Sequence, residues 1–175
     1  RLVQPSLRYD EGGAIARAGR AIEPAVEAAL RHPYFSTEPP KSTGRELFTP
    51  EYIAAFVASC RAFHPSASDA DLVATAVELT AASIADALQR FVAEPVDDLL
   101  VSGGGAKNPV LVEAIARRVA PRVVRRFEDE FFDGEAKEAV AFALLGYLFA
   151  TGRSGNVPSA TGARGPRILG KLTPA

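Results

Sequence analysis

The stretch VDDLLVSGGGAKNP, residues 96–109, constrains the fold more than any other part of this chain. An apolar run leads into three consecutive glycines, and Asn108 with Pro109 then supplies the cap and first-turn proline of a helix. Strand, glycine loop and helix in that order open an α/β unit. Three adjacent glycines form the most permissive backbone available, at the largest entropy loss on ordering. Two readings are open for them. They form a tight turn that packs helix against strand, or they leave bare backbone that a ligand approaches within van der Waals contact. The second reading sets the ligand at the carboxyl edge of the sheet, with helix-end amides as donors. The familiar phosphate loops do not match. Lys107 is followed by Asn108 rather than Ser or Thr, and Gly103-x-Gly105 meets Asn108 where the dinucleotide pattern needs a third glycine.

The rest of the chain is read around this unit. Apolar spacing predicts two short helices over 10–31, divided at Gly19 with Pro24 in the first turn of the second. Residues 32–48 form a proline-rich loop, and Thr49 caps a helix that runs from Pro50 to about Phe63. Ser68 and Asp71 make a capping pair ahead of a long amphipathic helix ending before Pro95. Strands are predicted at 96–102 and 122–127, with the helix from Asn108 to about Val119 between them. Asp133 caps a helix over 134–151 that is apolar all round, so it is expected to be central. A glycine-proline tail follows, with a further strand expected in RILGKL, residues 167–172. The expected class is α/β, a short sheet flanked by several helices. Residues 1–95 are mostly helical, and 96–175 alternate strand, glycine loop, helix, strand, helix.

Composition narrows the functional classes. A formal charge of −1 offers no basic field for nucleic acid or an anionic membrane. The longest apolar run, residues 139–150, is too short to span a bilayer. Cys60 is the lone cysteine, and His32 and His64 have no partner at metal-binding spacing, so no metal site is expected in this chain. With no methionine at all, the sequence reads as the later part of a longer polypeptide from a reducing compartment. Two polar loops are either solvated or in contact with ligand: PPKSTGRE, with Lys41, Ser42, Thr43 and Arg45, and GNVPSATGAR, residues 155–164. Among the acids of DGEAKEA, Glu138 directly precedes the apolar run and is the one best placed to be held by a core.

The blocks YDEGGAIARAG, HPYF, PPKSTGRELF, SGGGAKNP, DGEAKEAVAFALLGY and GNVPSATGARGPRILGKLTP, taken together and in order, resemble the C-terminal half of anhydro-N-acetylmuramic acid kinases. The likeness covers nearly the whole chain. It implies an actin-like, ribonuclease-H-like C-terminal lobe of a two-lobe sugar kinase, of the superfamily that includes the heat-shock ATPases. The implied reaction uses ATP and Mg²⁺ to open the 1,6-anhydro ring and phosphorylate the 6-oxygen, in cytoplasmic peptidoglycan recycling. By the same resemblance, Gly103, Gly104, Gly105 and Asn108 bind the nucleoside and Glu138 lies at the sugar. The general-base aspartate and the phosphate loop belong to the N-terminal lobe, so no catalytic residue is expected here and the chain alone should be inactive. The implied partners are the sugar, ATP, that missing lobe and a second copy in a homodimer, with neither nucleic acid nor membrane. Another sugar or acyl kinase lobe of the superfamily, or a non-catalytic nucleotide-binding module, are the alternatives.

Overall fold

A computed structural model describes residues 7–44 and 46–173. It is an α/β structure, mostly helical, with a two-stranded parallel sheet. The chain forms α1 (Ala14–Ala18), α2 (Glu23–Leu30), α3 (Pro33–Ser36), α4 (Pro50–Phe63) and α5 (Asp69–Phe91). Then come β1 (Asp98–Val101), α6 (Pro109–Val119), β2 (Val123–Arg126), α7 (Phe127–Glu130), α8 (Lys137–Ala150) and α9 (Pro158–Thr161). Local chemistry sets most helix starts. The Thr49 hydroxyl accepts from the Tyr52 amide at 3.2 Å. Ser68 and Asp71 close a reciprocal capping box on α5. Prolines occupy the first turns of α2, α3, α4, α6 and α9, where a missing N–H costs nothing. The short α3 falls in the stretch expected to be a loop, because His32 Nδ1 accepts from the Tyr34 amide and so caps a single turn.

Two compact units make up the chain. The first takes in the described residues of Arg1–Thr37 and Thr43–Arg126 and is organised around α5. One side of α5 packs Leu72 against Ile22, Ala25 and Cys60, and Leu79 against Val26. Its opposite side sets Ala81 against Ala114, Ile115 and Val119 of α6, with Leu99, Val101 and Val124 of the sheet closing the cluster. The parallel register pairs Asp98 with Val123 and Val101 with Arg126, so α6 is the crossover of a βαβ unit. Backbone proximity locks α1 to α5: a Cβ on Gly19 would collide with the Ala70 carbonyl. A buried carboxylate joins three helices, with Glu78 of α5 accepting from Arg117 and Arg118 of α6. Arg118 also donates to both oxygens of Glu23 of α2, at 2.8 and 2.7 Å.

The second unit, Glu38–Ser42 with the described part of Phe127–Ala175, is built differently. Phe127 lies tilted against Phe131 and edge-to-face with Phe132, at 5.0 and 5.2 Å between ring centroids. The helix expected to be central, α8, buries no residue at all. Phe142 is 72% exposed, Tyr147 57% and Leu144 55%. All-round apolar character marks a helix as one that needs cover on every side. Among the described residues, Leu145 approaches the tail at Gly155 and Phe149 approaches it at Gly170. The expected strand at 167–172 is absent among the described residues. That segment is held instead by isolated bonds, the Gly155 amide to the Arg167 carbonyl at 2.9 Å and the Arg167 amide to Asn156 Oδ1 at 2.6 Å. No strand lies beside it to continue a ladder.

Candidate functional site

The glycine loop leaves β1 at Val101. Gly103 adopts φ 82° and ψ −170°, a backbone region that only glycine visits readily. A short 3₁₀ helix over Gly104–Lys107 then brings the chain to Asn108, the cap of α6. A Cβ added at Gly103 or Gly104 would meet nothing within 4 Å, and one at Gly105 would touch only Leu111 at 3.4 Å. The turn therefore accounts for one glycine of the three. No protein atom excludes a side chain at Gly104, so close packing of helix on strand does not explain it.

Asn108 spends its side-chain oxygen on the protein. Its Oδ1 accepts from the amides of Val110 and Leu111, at 3.0 and 3.2 Å. The helix-end amides expected to serve as donors to an anion are thus already taken up by the cap. That assignment leaves the Asn108 Nδ2 group as the donor of this side chain.

The opposing wall comes from a segment that the sequence reading placed in a helical stretch and gave no site role. Gly12 and Gly13 have φ of 61° and 71°, both left-handed. Any Cβ on Gly13 would collide with Asn108 Oδ1 and Val110, so two segments ninety-five positions apart are interlocked through that missing atom. Asp10 fixes the wall from the other end. Its Oδ1 accepts from the Ile15 amide at 2.8 Å and its Oδ2 from the Ala16 amide at 3.0 Å. The adjacent glycine pair in YDEGG was the available signal, because glycine is the default residue where backbone turns left-handed or another segment approaches closely.

Between the walls lies a cleft of about 690 Å³, of ligand-pocket size. Gly104, Gly105, Lys107 and Asn108 line one side, and Tyr9, Asp10, Glu11 and Gly12 line the other, with Leu111 at the floor. Gly103 lies just before this lining. Glu138 belongs to the second unit, in the first turn of α8, and its side chain is exposed rather than held by a core. Lys41 and Ser42 also belong to the second unit and Thr43 to the first, while Arg45 lies outside the described residues. Among the described residues, no group of three or more His, Cys, Asp or Glu is placed to hold a metal ion. No helix there is long and apolar enough to cross a membrane. A second hollow of about 370 Å³, between α2 and α4, is lined by Ala28, Ala29, Ala55 and Phe56 together with Arg31, His32, Tyr52 and Ser59.

The sequence matches known proteins over nearly its full length. A family model described as anhydro-N-acetylmuramic acid kinase matches residues 3–175. An anhydro-N-acetylmuramic acid kinase of Acaryochloris marina is 40% identical over 166 residues, 95% of this chain and 43% of that protein. The protein of the same name from a Cyanothece strain is 42% identical over 164 residues, 94% of this chain and 43% of its own length. That of Streptomyces coelicolor is 43% identical over 167 residues, with 95% and 41% covered. The chain spans about two fifths of the length of these curated relatives. With a family match that leaves out only the first two residues, the chain belongs to the anhydro-N-acetylmuramic acid kinase family.

Proposed function

We propose that this chain is the C-terminal lobe of an ATP-dependent anhydro-N-acetylmuramic acid kinase, with a ribonuclease-H-like architecture in the complete protein, and that it supplies the nucleoside part of the active site. The observation that carries this reading is the cleft at Gly104. A family kinase presents bare backbone there, facing open space of nucleoside size, for which no internal packing accounts. The cleft fits a nucleoside better than a phosphate, since the first amides of α6 are capped by Asn108. Asn108 Nδ2 would donate to the ligand, and Lys107 brings positive charge to the same wall. Mg²⁺, when bound with the triphosphate, supplies neutralisation of phosphoryl charge. Mg²⁺ of this kind is commonly held by one or two carboxylates together with the phosphates and water.

In the proposed reaction the sugar's 1,6-anhydro bridge opens by attack of water at the anomeric carbon while the 6-oxygen takes the γ-phosphoryl group. The base that activates the water lies outside this chain, in the N-terminal lobe. Glu138 binds a sugar hydroxyl group, the setting is cytoplasmic, and the product serves peptidoglycan recycling. The 175-residue chain alone should show no turnover with Mg-ATP and anhydro-N-acetylmuramic acid, and measurable turnover refutes this division of labour. In the complete enzyme, Gly104→Val should raise the KM for ATP about tenfold, roughly 1.4 kcal/mol, with the KM for sugar unchanged. A Cβ there meets no protein atom within 4 Å, so an unchanged KM for ATP removes the nucleoside from this loop.

A further inference from the structure

The wall opposite the glycine loop has a composition that the loop does not explain. Tyr9 is 70% exposed, yet it lines the same cleft as Gly104 and Gly105. An exposed aromatic ring at the mouth of a nucleoside-sized cleft gains nothing from folding, since most of its apolar surface stays in water. The backbone beneath it is nonetheless fixed at two points. Asp10 spends both carboxylate oxygens on the amides of α1, and Gly13 seats against Asn108 and Val110 with no room for a Cβ. Gly12, also left-handed, would meet nothing within 4 Å if it carried a Cβ, so the space before it is as open as that before Gly104.

Fixed backbone, open space and an exposed ring are what a ligand platform requires: the geometry is set before the ligand arrives, and the ring face is available. We infer that Tyr9 is the stacking platform for the purine base of the nucleotide, the base being held between its ring and the bare backbone at Gly104. This rests on the nucleotide reading above. Base-on-aromatic stacking is worth about 1–3 kcal/mol and tolerates any base, but grows with ring area, so the platform favours purine over pyrimidine. Of the two acids on this wall, Asp10 is consumed by its cap, and Glu11 alone is available to accept hydrogen bonds from ligand hydroxyl groups.

Calorimetric titration of the complete enzyme with the non-hydrolysable analogue adenylyl imidodiphosphate and its cytidine counterpart tests this. The expected result is that Tyr9→Ala weakens the adenine analogue about tenfold and the cytidine analogue much less, while Tyr9→Phe binds as the parent does. The melting temperature of Tyr9→Ala should match the parent's, because the ring is exposed. If Gly104→Val loses affinity and Tyr9→Ala does not, the nucleotide reading stands and the platform falls. If Tyr9→Ala weakens both analogues equally, or Tyr9→Phe is as weak as alanine, stacking is overturned. A parent enzyme that binds neither analogue overturns both the platform and the site it rests on.

Discussion

Helices α5 and α8 carry the largest apolar surfaces of their units and meet opposite fates. The 23-residue α5 interrupts its apolar stripe with Asp69, Asp71, Asp86 and Arg90, and it buries Leu72, Ala74, Thr75, Glu78, Leu79, Ala81 and Ala82. The 14-residue α8 has almost no polar face after Glu138 and buries nothing. An amphipathic helix needs cover on one stripe, which α2, α4 and α6 supply. A helix apolar on every side needs partners all round, and α8 has no buried residue. Hydrophobicity therefore says how much cover an element requires, and neighbours decide whether the requirement is met.

The same substitution in each helix tests the contrast directly. Leu79→Ala empties a site that is 9% exposed, between Val26 and Ala82, and should destabilise the chain by about 2–4 kcal/mol. Leu144→Ala, at a site 55% exposed, should change stability by less than about 0.5 kcal/mol. Urea denaturation of the full chain reads both. Equal losses would mean that α8 is covered in solution by a second copy, and a concentration-dependent midpoint would then expose that association.

Glu138 sharpens the comparison from function rather than stability. It heads α8 with an exposed side chain, so it contributes little to the fold beyond a favourable place near the helix's positive end. In the complete enzyme, Glu138→Gln should lower kcat/KM for the sugar by roughly ten- to a hundredfold, about 1.4–2.8 kcal/mol, with the KM for ATP unmoved. Loss of folding stability with unaltered kinetics per folded molecule would reduce Glu138 to a helix-start residue.

These two units also differ in how legible they were. Every helix of eight residues or more, and both strands, followed from local signals: Pro50 after Thr49, the Ser68–Asp71 box, Asn108 before Pro109. Those signals act within four residues, so sequence spacing contains them whole. The packing of Gly13 on Asn108 does not lie within any window, and with it the second wall of the cleft went unread. The central place expected of α8 failed for the related reason that burial is a property of neighbours. RILGKL alternates like a strand, yet a strand exists only beside a partner, and the described residues place none beside it.

The smallest expected effect compares the caps of the two units by pH. Asp71 of α5 accepts from the Ser68 hydroxyl at 2.7 Å, from the Arg20 amide at 2.7 Å and from the Ser68 amide at 2.9 Å. The Ser68 hydroxyl bond, followed by the Arg20 and Ser68 amides, holds its carboxyl below the ordinary aspartate range. A carboxyl whose folded pKa is depressed contributes stability that is fully present above its unfolded pKa, about 3.9, and that is lost as pH falls through the folded value. The stability difference between the parent and Asp71→Asn should therefore be constant from neutral pH down to about 5 and shrink below about 4. Asp133, which caps the turn before α8, accepts a single bond from the Glu135 amide at 2.9 Å, and asparagine can accept it equally well. Asp133→Asn should cost less than Asp71→Asn at neutral pH. Urea midpoints measured in steps from pH 7 to pH 3 decide it. A parent-minus-Asp71→Asn difference that stays flat to pH 3 would show that the cap works through its oxygen geometry and not through its charge.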